Sequence, residues 1–267
     1  MSVFKRVMRP ADGGAWVTGA SSGIGRAVSL ELARRGWTVY ATARRVEALE
    51  ALAAEVTESG AEGRIVPIPG DVTNLDDMAS AVEQATADAP LALAILNAGV
   101  YYPMRAQSFS AEKARATFDV NLTGVTNGLE PLLAHMIERG TGHIALVASV
   151  AGYRGLPNAA AYSASKAGLI AMAEALAMDM VDLGVRISVI NPGFIETEAT
   201  EVNDFEMPML LQADDAARRM VDGLAKPGFE IRFPWQFALF LRAIGLLPNR
   251  AYIWAVRKAL GWDKIDS

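Results

Sequence analysis

Two residues four positions apart, Tyr162 and Lys166, form a pair suited to acid–base chemistry. On a helix, residues with this spacing share one face and can interact. A free phenol loses its proton near pH ~10, and a neighbouring ammonium group favours the phenolate and lowers that pKa. The spacing therefore predicts a unit that exchanges a proton near neutral pH, although ordinary amphipathic helices carry the same spacing.

A glycine-rich stretch near the N-terminus could bind a nucleotide. The apolar run 15–18 leads into Gly19, Gly23 and Gly25, and an amphipathic helix is predicted over about 24–35. Strand, glycine loop and helix are the context that a dinucleotide-binding turn requires. Glycines let the backbone approach a pyrophosphate, and the helix N-terminus supplies N–H groups.

The end of the second predicted strand, 38–43, bears on which dinucleotide binds. An acidic residue there would hydrogen-bond the adenosine ribose of NAD, but Ala43 occupies the position and Arg44 follows it. An arginine can pair with the 2′-phosphate of NADP. We therefore expect NADP(H) to be preferred and NAD(H) to be possible; a solvated basic helix start is the alternative explanation of Arg44.

Strands and helices alternate over about 190 residues, which predicts βαβ units and a parallel sheet with ligands at the carboxyl ends of its strands. The remaining strands are expected over 64–68, 91–96, 143–148 and 185–190. The remaining helices are expected over 46–59, 75–86, 111–139 (interrupted at 121–124) and 159–183. Without an internal repeat or a low-complexity linker, residues 1–267 are expected to form a single domain.

Composition narrows the class of protein. The net charge is −5, which disfavours nucleic acid as a partner. The chain has no cysteine, which excludes disulfides and thiolate sites, and its two histidines lack metal-ligand spacing. We predict no metal site. No secretory signal or spanning segment of ~20 apolar residues is evident, so a cytoplasmic protein is expected.

The motifs together resemble the short-chain dehydrogenase/reductase family over about residues 12–200. They occur in the family's order: 18–25 (TGASSGIG), Asp71-Val72, Asn97-Ala98-Gly99, Asn121, Ser149, Tyr162 with Lys166, and Pro192-Gly193. The resemblance implies a doubly wound α/β Rossmann-type domain with a mostly parallel sheet of about seven strands and helices on both faces. It also implies hydride transfer between NAD(P) and a carbonyl or alcohol carbon.

The resemblance assigns roles to the polar residues. Tyr162 would act as general acid/base, and Lys166 would hold its pKa down and reach the ribose hydroxyls. Ser149 would donate a hydrogen bond to the substrate oxygen. Asn121 would hold a water that links Lys166 to solvent, unless it is simply an asparagine at a helix kink.

The resemblance also implies a set of cofactor-binding residues and an assembly. Relatives often pair through the helices that carry Asn121 and Tyr162, so a homodimer or homotetramer is expected. Besides Arg44, Tyr162 and Lys166, the expected cofactor residues are Gly19, Ser21, Ser22, Gly23, Ile24 and Gly25 at the pyrophosphate, Asp71 and Val72 at the adenine, Asn97 at the adenosine ribose with the adjoining Ala98 and Gly99, and Pro192, Gly193, Ile195 and Thr197 near the nicotinamide.

The C-terminal extension, 229–267, departs from the family. It holds eight of the 20 aromatic residues, and between 226 and 262 six basic residues face one acidic residue. A last strand is predicted over 229–233, followed by helices over about 235–246 and 249–260. Three interpretations stay open: extra packing, a lid over a bulky or lipid-like substrate, or a basic amphipathic membrane anchor. Peripheral membrane contact is the least favoured of the three.

The expected substrate loop, 195–212, contains Phe205, Met207, Met209, Leu210 and Leu211, which favours an apolar pocket. Its five acidic residues disfavour an anionic substrate. The function predicted is therefore NADP(H)-dependent oxidoreduction of a carbonyl or secondary alcohol in an apolar small molecule. The alternatives are an NADP(H)-binding redox sensor without turnover and an NAD-preferring dehydrogenase.

Overall fold

The computed structural model describes residues 6–202 and 207–259. Seven strands form one sheet in the order β3-β2-β1-β4-β5-β6-β7, and every neighbouring pair is parallel. This confirms the predicted sheet. The strands are β1 Gly14–Thr18, β2 Thr38–Thr42, β3 Arg64–Pro67, β4 Leu91–Leu96, β5 Gly142–Val147, β6 Val185–Pro192 and β7 Glu230–Phe233.

Helices cover both faces of the sheet, so the predicted doubly wound arrangement is confirmed. One apolar core lies under α1, α2 and α7, and the other lies under α3, α5 and α6. Every residue of β4 and β5 is buried, as expected for parallel strands covered on both faces. The helices are α1 Gly23–Arg34, α2 Val46–Glu58, α3 Leu75–Ala87, α4 Ala111–Phe118, α5 Gly124–Arg139, α6 Ala160–Met180, α7 Ala213–Leu224, α8 Trp235–Gly245 and α9 Asn249–Ala259.

The predicted interruption near Asn121 is a π-helical turn, Asp119–Thr123, that joins α4 to α5 without breaking the helical path. Gly124 begins α5, and a Cβ there would lie 2.7 Å from the Val72 side chain. The helix therefore passes close to the loop that follows β3. The π turn places the Asn121 side chain in the interior of the protein, where it is fully buried.

Helices α8 and α9, which we call the C-terminal hairpin (235–259), follow β7 as predicted. Ala238 and Leu241 of α8 pack on Val150, in the short turn after β5. The hairpin therefore sits beside the carboxyl ends of β5, β6 and β7. In the described residues, no helix combines the length and apolar character needed to cross a bilayer.

Candidate active site

A cavity of about 760 Å³ opens at the carboxyl ends of the strands. Strand order reverses between β1 and β4, which is where open α/β sheets bind ligands. The glycine turn lies at one end of the cavity, the C-terminal hairpin lies at the other, and Ser149, Tyr162 and Lys166 line it between them. Of the residues predicted for the site, only Gly25 and Asn121 do not line the cavity.

Tyr162 and Lys166 lie on α6, with Ser149 just beyond the end of β5. The Lys166 Nζ lies 5.6 Å from the centre of the Tyr162 ring and donates a hydrogen bond to the Val147 carbonyl oxygen at 2.8 Å. The Tyr101 ring meets the Tyr162 ring edge-on, with 5.1 Å between centroids. The lysine and the second aromatic ring fix the position of the phenol in the cavity.

Burial changes the acidity of both groups. Desolvation raises the pKa of Tyr162 above 10.0, and a hydrogen bond with the Ser149 side chain acts in the opposite direction. Desolvation lowers the pKa of Lys166 to about 8. The lowering of the Tyr162 pKa expected from Lys166 is therefore not found, because burial, which raises this pKa, is the largest influence on the phenol. At pH 7 the phenol is neutral and can donate a proton.

Ser149 is buried and stands at the start of the short turn that follows β5. Its Oγ accepts a hydrogen bond from the Ala151 backbone N–H at 3.1 Å and lies 3.4 Å from the Pro192 carbonyl oxygen. A Cβ on Gly152 would lie 2.7 Å from the Lys166 backbone, so the turn after Ser149 packs directly on α6. That close packing holds Ser149 beside Tyr162.

The Asn121 side chain connects the π turn to the site. Its Nδ2 donates to the Val100 carbonyl oxygen at 3.0 Å and to the Ser165 Oγ at 3.1 Å, and its Oδ1 accepts from the Val100 N–H at 2.8 Å. Ser165 in turn donates to the Tyr162 carbonyl oxygen. Asn121 therefore ties the loop after β4 to the first turn of α6, and the water-holding role stays a prediction.

The glycine turn leaves no room for side chains at its centre. Gly19 has φ +69°, and a Cβ there would lie 2.8 Å from the Ala98 Cα. A Cβ on Gly25 would lie 2.2 Å from the Gly19 carbonyl oxygen. Ser22 precedes α1 without a side-chain cap, so its hydroxyl does not occupy the first N–H groups of the helix, which are the groups that bind a pyrophosphate at a helix N-terminus. Ser21, Gly23 and Ile24 complete this wall.

The end of β2 presents two arginines to the cavity. Ala43 is buried, and Arg44 is exposed with its Nη1 3.9 Å from the Asp71 Oδ2. Arg45 lies 3.3–3.4 Å from the carbonyl and hydroxyl oxygens of Ser21. The sequence predictions included Arg44 but not Arg45, although both line the cavity. The adjacent basic residues were the available signal.

The adenine-side residues are held by local hydrogen bonds. The Asp71 Oδ1 accepts from the N–H and hydroxyl of Thr73 at 3.0 and 2.9 Å. The Asn97 Nδ2 donates to the Thr18 carbonyl oxygen at 3.1 Å, and the Thr18 hydroxyl accepts from the Asn97 N–H. The strand ends of β1 and β4 are thereby joined. Val72, Ala98 and Gly99 lie on the same wall.

The end of β6 forms the opposite wall. A Cβ on Gly193 would lie 3.1 Å from Pro234 and 3.2 Å from the Phe237 ring, so glycine permits α8 to approach Pro192 and Gly193 closely. Ile195 is buried, and Thr197 lies near Gly23 across the cavity. The predicted nicotinamide-side residues are therefore in contact with both the C-terminal hairpin and the glycine turn.

Apolar side chains of the hairpin close the far end of the cavity. Phe237 packs against Phe194 with 5.6 Å between ring centroids. The residues of the hairpin that line the cavity are Phe237, Phe240, Leu241, Ile244, Val256 and Ala259. Three interpretations of the C-terminal extension were open. In the structure the extension makes packing contacts with the domain and also forms a wall of the cavity.

The expected apolar contribution of the loop 195–212 is largely wrong. Met207, Met209, Leu210 and Leu211 do not line the cavity, and Phe205 falls outside the described residues. Leu211 instead packs against the apolar core under α1, α2 and α7. The loop contributes Ile195, Ala199 and Pro208, together with the polar residues Thr197, Glu198 and Thr200.

Two consecutive residues between Ser149 and Tyr162 hold the hairpin in place. The Arg154 Nη1 donates to the Gly245 and Leu247 carbonyl oxygens at 2.6 and 2.8 Å, and its guanidinium lies 4.1 Å from the Tyr252 ring centre. The Tyr153 hydroxyl bonds Glu230, which also pairs with Arg242 of α8. We call Tyr153 and Arg154 the tether.

Comparisons with known proteins agree with this geometry. A sequence model described as short chain dehydrogenase matches residues 14–206. An uncharacterised oxidoreductase of Myxococcus xanthus is 41% identical over 91% of this chain and 96% of its own length. Levodione reductase superposes with a TM-score of 0.77 at 26% identity, over 85% of this chain and 98% of its own.

A short-chain dehydrogenase/reductase from Burkholderia phymatum, solved in complex with NAD, also has a TM-score of 0.77 and 26% identity, over 88% of this chain and 94% of its own. Over the described part of the chain, no three His, Asp or Glu side chains are grouped to hold a metal ion. The chain belongs to the short-chain dehydrogenase/reductase family and is an oxidoreductase of that family.

Proposed function

We propose that the protein is an NADP(H)-dependent reductase of a carbonyl group in an apolar small molecule. The observation that carries this proposal is the single cavity that joins the glycine turn, the Ser149–Tyr162–Lys166 group and the apolar wall of the hairpin. When bound, the nicotinamide cofactor supplies the hydride. The chain's own residues bind the cofactor, orient the substrate and provide the proton.

Tyr162 supplies the proton to the substrate oxygen. Because burial raises its pKa, the phenol is neutral at pH 7, which is the form required for reduction of a carbonyl. Ser149 donates a hydrogen bond to the same oxygen, where negative charge develops. Lys166, held by the Val147 carbonyl oxygen, places a positive charge near the phenol as the proton leaves.

The proton donor predicts how the activity fails when it is removed. Tyr162→Phe should lower kcat for ketone reduction about 100- to 10,000-fold, the range that a positioned acid contributes. NADPH affinity, measured by fluorescence titration, should stay within about twofold. A broad ketone and aldehyde panel, followed at the NADPH absorbance, supplies the substrates. Tight NADPH binding without reduction of any substrate would favour a redox sensor and contradict the proposal.

NADP preference is supported by the residues at the end of β2. No carboxylate occupies the position of Ala43, and the exposed Arg44 stands at the cavity edge with only a 3.9 Å contact to Asp71. A guanidinium there can pair with a 2′-phosphate through charge-assisted hydrogen bonds.

Removal of the Arg44 side chain tests its contribution to the binding of NADPH. Arg44→Ala should raise KM for NADPH about tenfold or more, as expected for loss of hydrogen bonds to a charged group, and should change KM for NADH far less. Arg115→Ala is the matched control, because it removes an exposed arginine of α4 that does not line the cavity, and it should leave both KM values unchanged. Equal changes for both cofactors in the Arg44 variant would contradict the assignment to NADP.

An apolar substrate is supported by the far end of the cavity. Phe194 and the hairpin residues surround the space beyond Ser149 and Tyr162, and α8 contributes no charged side chain to that wall. Glu198, at the edge, disfavours an anionic group. Burial of apolar surface contributes roughly 25 cal/mol per Å², so kcat/KM is expected to rise with the apolar size of the ketone until the cavity is filled.

A further inference from the structure

The outer face of the C-terminal hairpin exposes large apolar side chains. Trp235 and Leu239 of α8 and Leu246, directly after its end, follow one stripe, and Trp235 and Leu246 are 57% and 88% exposed. On α9, Trp254 is 62% exposed, and Ile253 lies beside it. Large exposed apolar patches of this kind mark sites at which a protein contacts another protein or a membrane.

The same face is cationic. Residues 235–259 contain Arg242, Arg250, Arg257 and Lys258 and no acidic residue, although the whole chain has a net charge of −5. Arg250 and Lys258 are exposed, and the Lys258 Nζ lies 5.0 Å from the centre of the Trp254 ring. Arg242 is partly neutralised by Glu230 at 3.1 Å. The charge is therefore concentrated on α9.

The hairpin's other face lines the cavity, and one residue belongs to both faces. Phe237, Leu241 and Ile244 point into the cavity, whereas Phe240 lines it and is also 51% exposed. Phe240 therefore stands at the rim. The exposed apolar surface is continuous with the apolar wall of the cavity.

We propose that the C-terminal hairpin docks on the surface of an anionic lipid bilayer, with its helices lying in the interface. Tryptophan and leucine beside arginine and lysine on amphipathic helices are typical of helices that dock in a membrane interface. Positive charge without any carboxylate is complementary to anionic headgroups. A second copy of the chain fits less well, because a two-fold contact would bring two acid-free cationic faces together.

The docking does not depend on the reaction. Its consequence for the substrate does rest on the proposed function: an apolar carbonyl compound dissolved in the bilayer would reach the cavity past Phe240. The binding experiment is therefore performed without cofactor or substrate, so that its failure is distinguishable from failure of the proposed reaction.

Vesicle flotation of the full chain tests the docking. The protein should float with vesicles of phosphatidylglycerol and phosphatidylcholine and bind pure phosphatidylcholine less. Each cation near an anionic surface contributes about fivefold to the partition constant, so Arg250→Gln/Lys258→Gln should lower binding to anionic vesicles by more than about tenfold. Trp235→Ala/Trp254→Ala should lower binding to both kinds of vesicle.

Matched pairs elsewhere on the surface serve as controls. Arg115→Gln/Arg219→Gln removes two exposed cations on α4 and α7, and Phe109→Ala/Met178→Ala removes two exposed apolar side chains outside the hairpin. Both controls should bind anionic vesicles as the unaltered protein does. Equal losses in the controls would overturn the proposal by showing that the hairpin is not the docking surface.

Light scattering after size exclusion identifies the competing occupant. One outcome is that the unaltered protein binds neither kind of vesicle and that Trp235→Ala/Trp254→Ala converts an oligomer to a smaller species. The outer face of the hairpin is then an interface between copies of the chain, and the proposal is wrong. Absence of vesicle binding by a monodisperse, folded protein overturns it equally. Binding that persists in both hairpin variants would also contradict it.

Discussion

The glycine turn and the C-terminal hairpin, at opposite ends of one cavity, are held in place by different forces. The glycine turn is built from backbone at the ends of β1 and β4, where a methyl group on Gly19 or Gly25 would strike main-chain atoms. The hairpin is positioned by side chains: the tether, Glu230 and the packing of Ala238 and Leu241 on Val150.

This difference separates two properties of the enzyme. A backbone-lined turn accepts almost no substitution without loss of its shape, which suits a site that must bind an invariant cofactor. A wall of apolar side chains on two tethered helices changes its volume with each substitution, which suits the choice of a substrate. We therefore expect variants at the two ends to affect cofactor affinity and substrate selectivity independently.

The largest effect is expected at the glycine turn. Gly25→Ala places a Cβ 2.2 Å from the Gly19 carbonyl oxygen. Overpacking costs about 1–3 kcal/mol, so NADPH binding should weaken about 10- to 100-fold in a fluorescence titration. Gly155→Ala is the control, because no atom lies within 4 Å of the added carbon. Similar affinities for the two variants would contradict a rigid turn.

A smaller effect, on the free energy of unfolding, is expected from Lys166, the buried charge between the glycine turn and the C-terminal hairpin. Burial lowers the folded-state pKa of Lys166 from 10.5 to about 8. Below pH 8 both folded and unfolded chains carry this proton; between 8 and 10.5 the unfolded chain binds it more, so the free energy of unfolding rises with pH. Relative to Lys166→Met, the unaltered protein should gain about 2 kcal/mol between pH 7.5 and 9.5.

Urea denaturation of both proteins at the two pH values measures this gain. Taking the difference between them removes the contributions of the titratable groups that both proteins share. If the free energy of unfolding changed equally with pH in the two proteins, burial would not lower the pKa of the Lys166 ammonium group as stated.

The tether predicts a further effect confined to the hairpin. Arg154→Gln removes hydrogen bonds from a charged donor to the Gly245 and Leu247 carbonyl oxygens. The free energy of unfolding should fall by about 1–2 kcal/mol, and hydrogen exchange on α9 should accelerate. KM for a bulky apolar ketone should rise several-fold, while NADPH affinity is unchanged.

Tyr252→Phe is the matched control for the tether. It removes only the hydroxyl that donates to the Gly155 carbonyl oxygen at 2.8 Å and keeps the ring beneath the Arg154 guanidinium. A loss of roughly 0.5–1 kcal/mol is expected, as for one neutral hydrogen bond. If Arg154→Gln weakens NADPH binding as much as substrate binding, the two ends are not independent.

The same difference explains what the sequence could predict. The sheet, the helices and the glycine turn can be predicted from local patterns, namely apolar runs, glycine spacing and the alternation of strands with helices. These patterns do not depend on the tertiary contacts of the chain. Ser149, Tyr162 and Lys166 do converge on one cavity, as motif order implied. The roles of these residues stay proposals, and the choice of NADP rests on Arg44.

Three features depended on contacts that no local pattern encodes. Whether α8 covers the cavity depends on Gly193 and Arg154, which are distant in sequence from the hairpin. Leu211 packs against the core under α1, α2 and α7 and does not line the cavity, which also depends on the tertiary fold. The raised pKa of Tyr162 follows from burial, which is set by the tertiary fold.

The most direct test of the division between the two ends removes side chains from the apolar wall and thereby enlarges the cavity. Phe240→Ala/Ile244→Ala removes two side chains that line the cavity and leaves Phe237 in place against Gly193. We predict that the ratio of kcat/KM for a bulky apolar ketone to that for a small one changes about tenfold or more, since one large side chain contributes 1.5–3 kcal/mol on burial, while the NADPH dissociation constant stays within about twofold. An unchanged ratio with weakened NADPH binding would contradict the account.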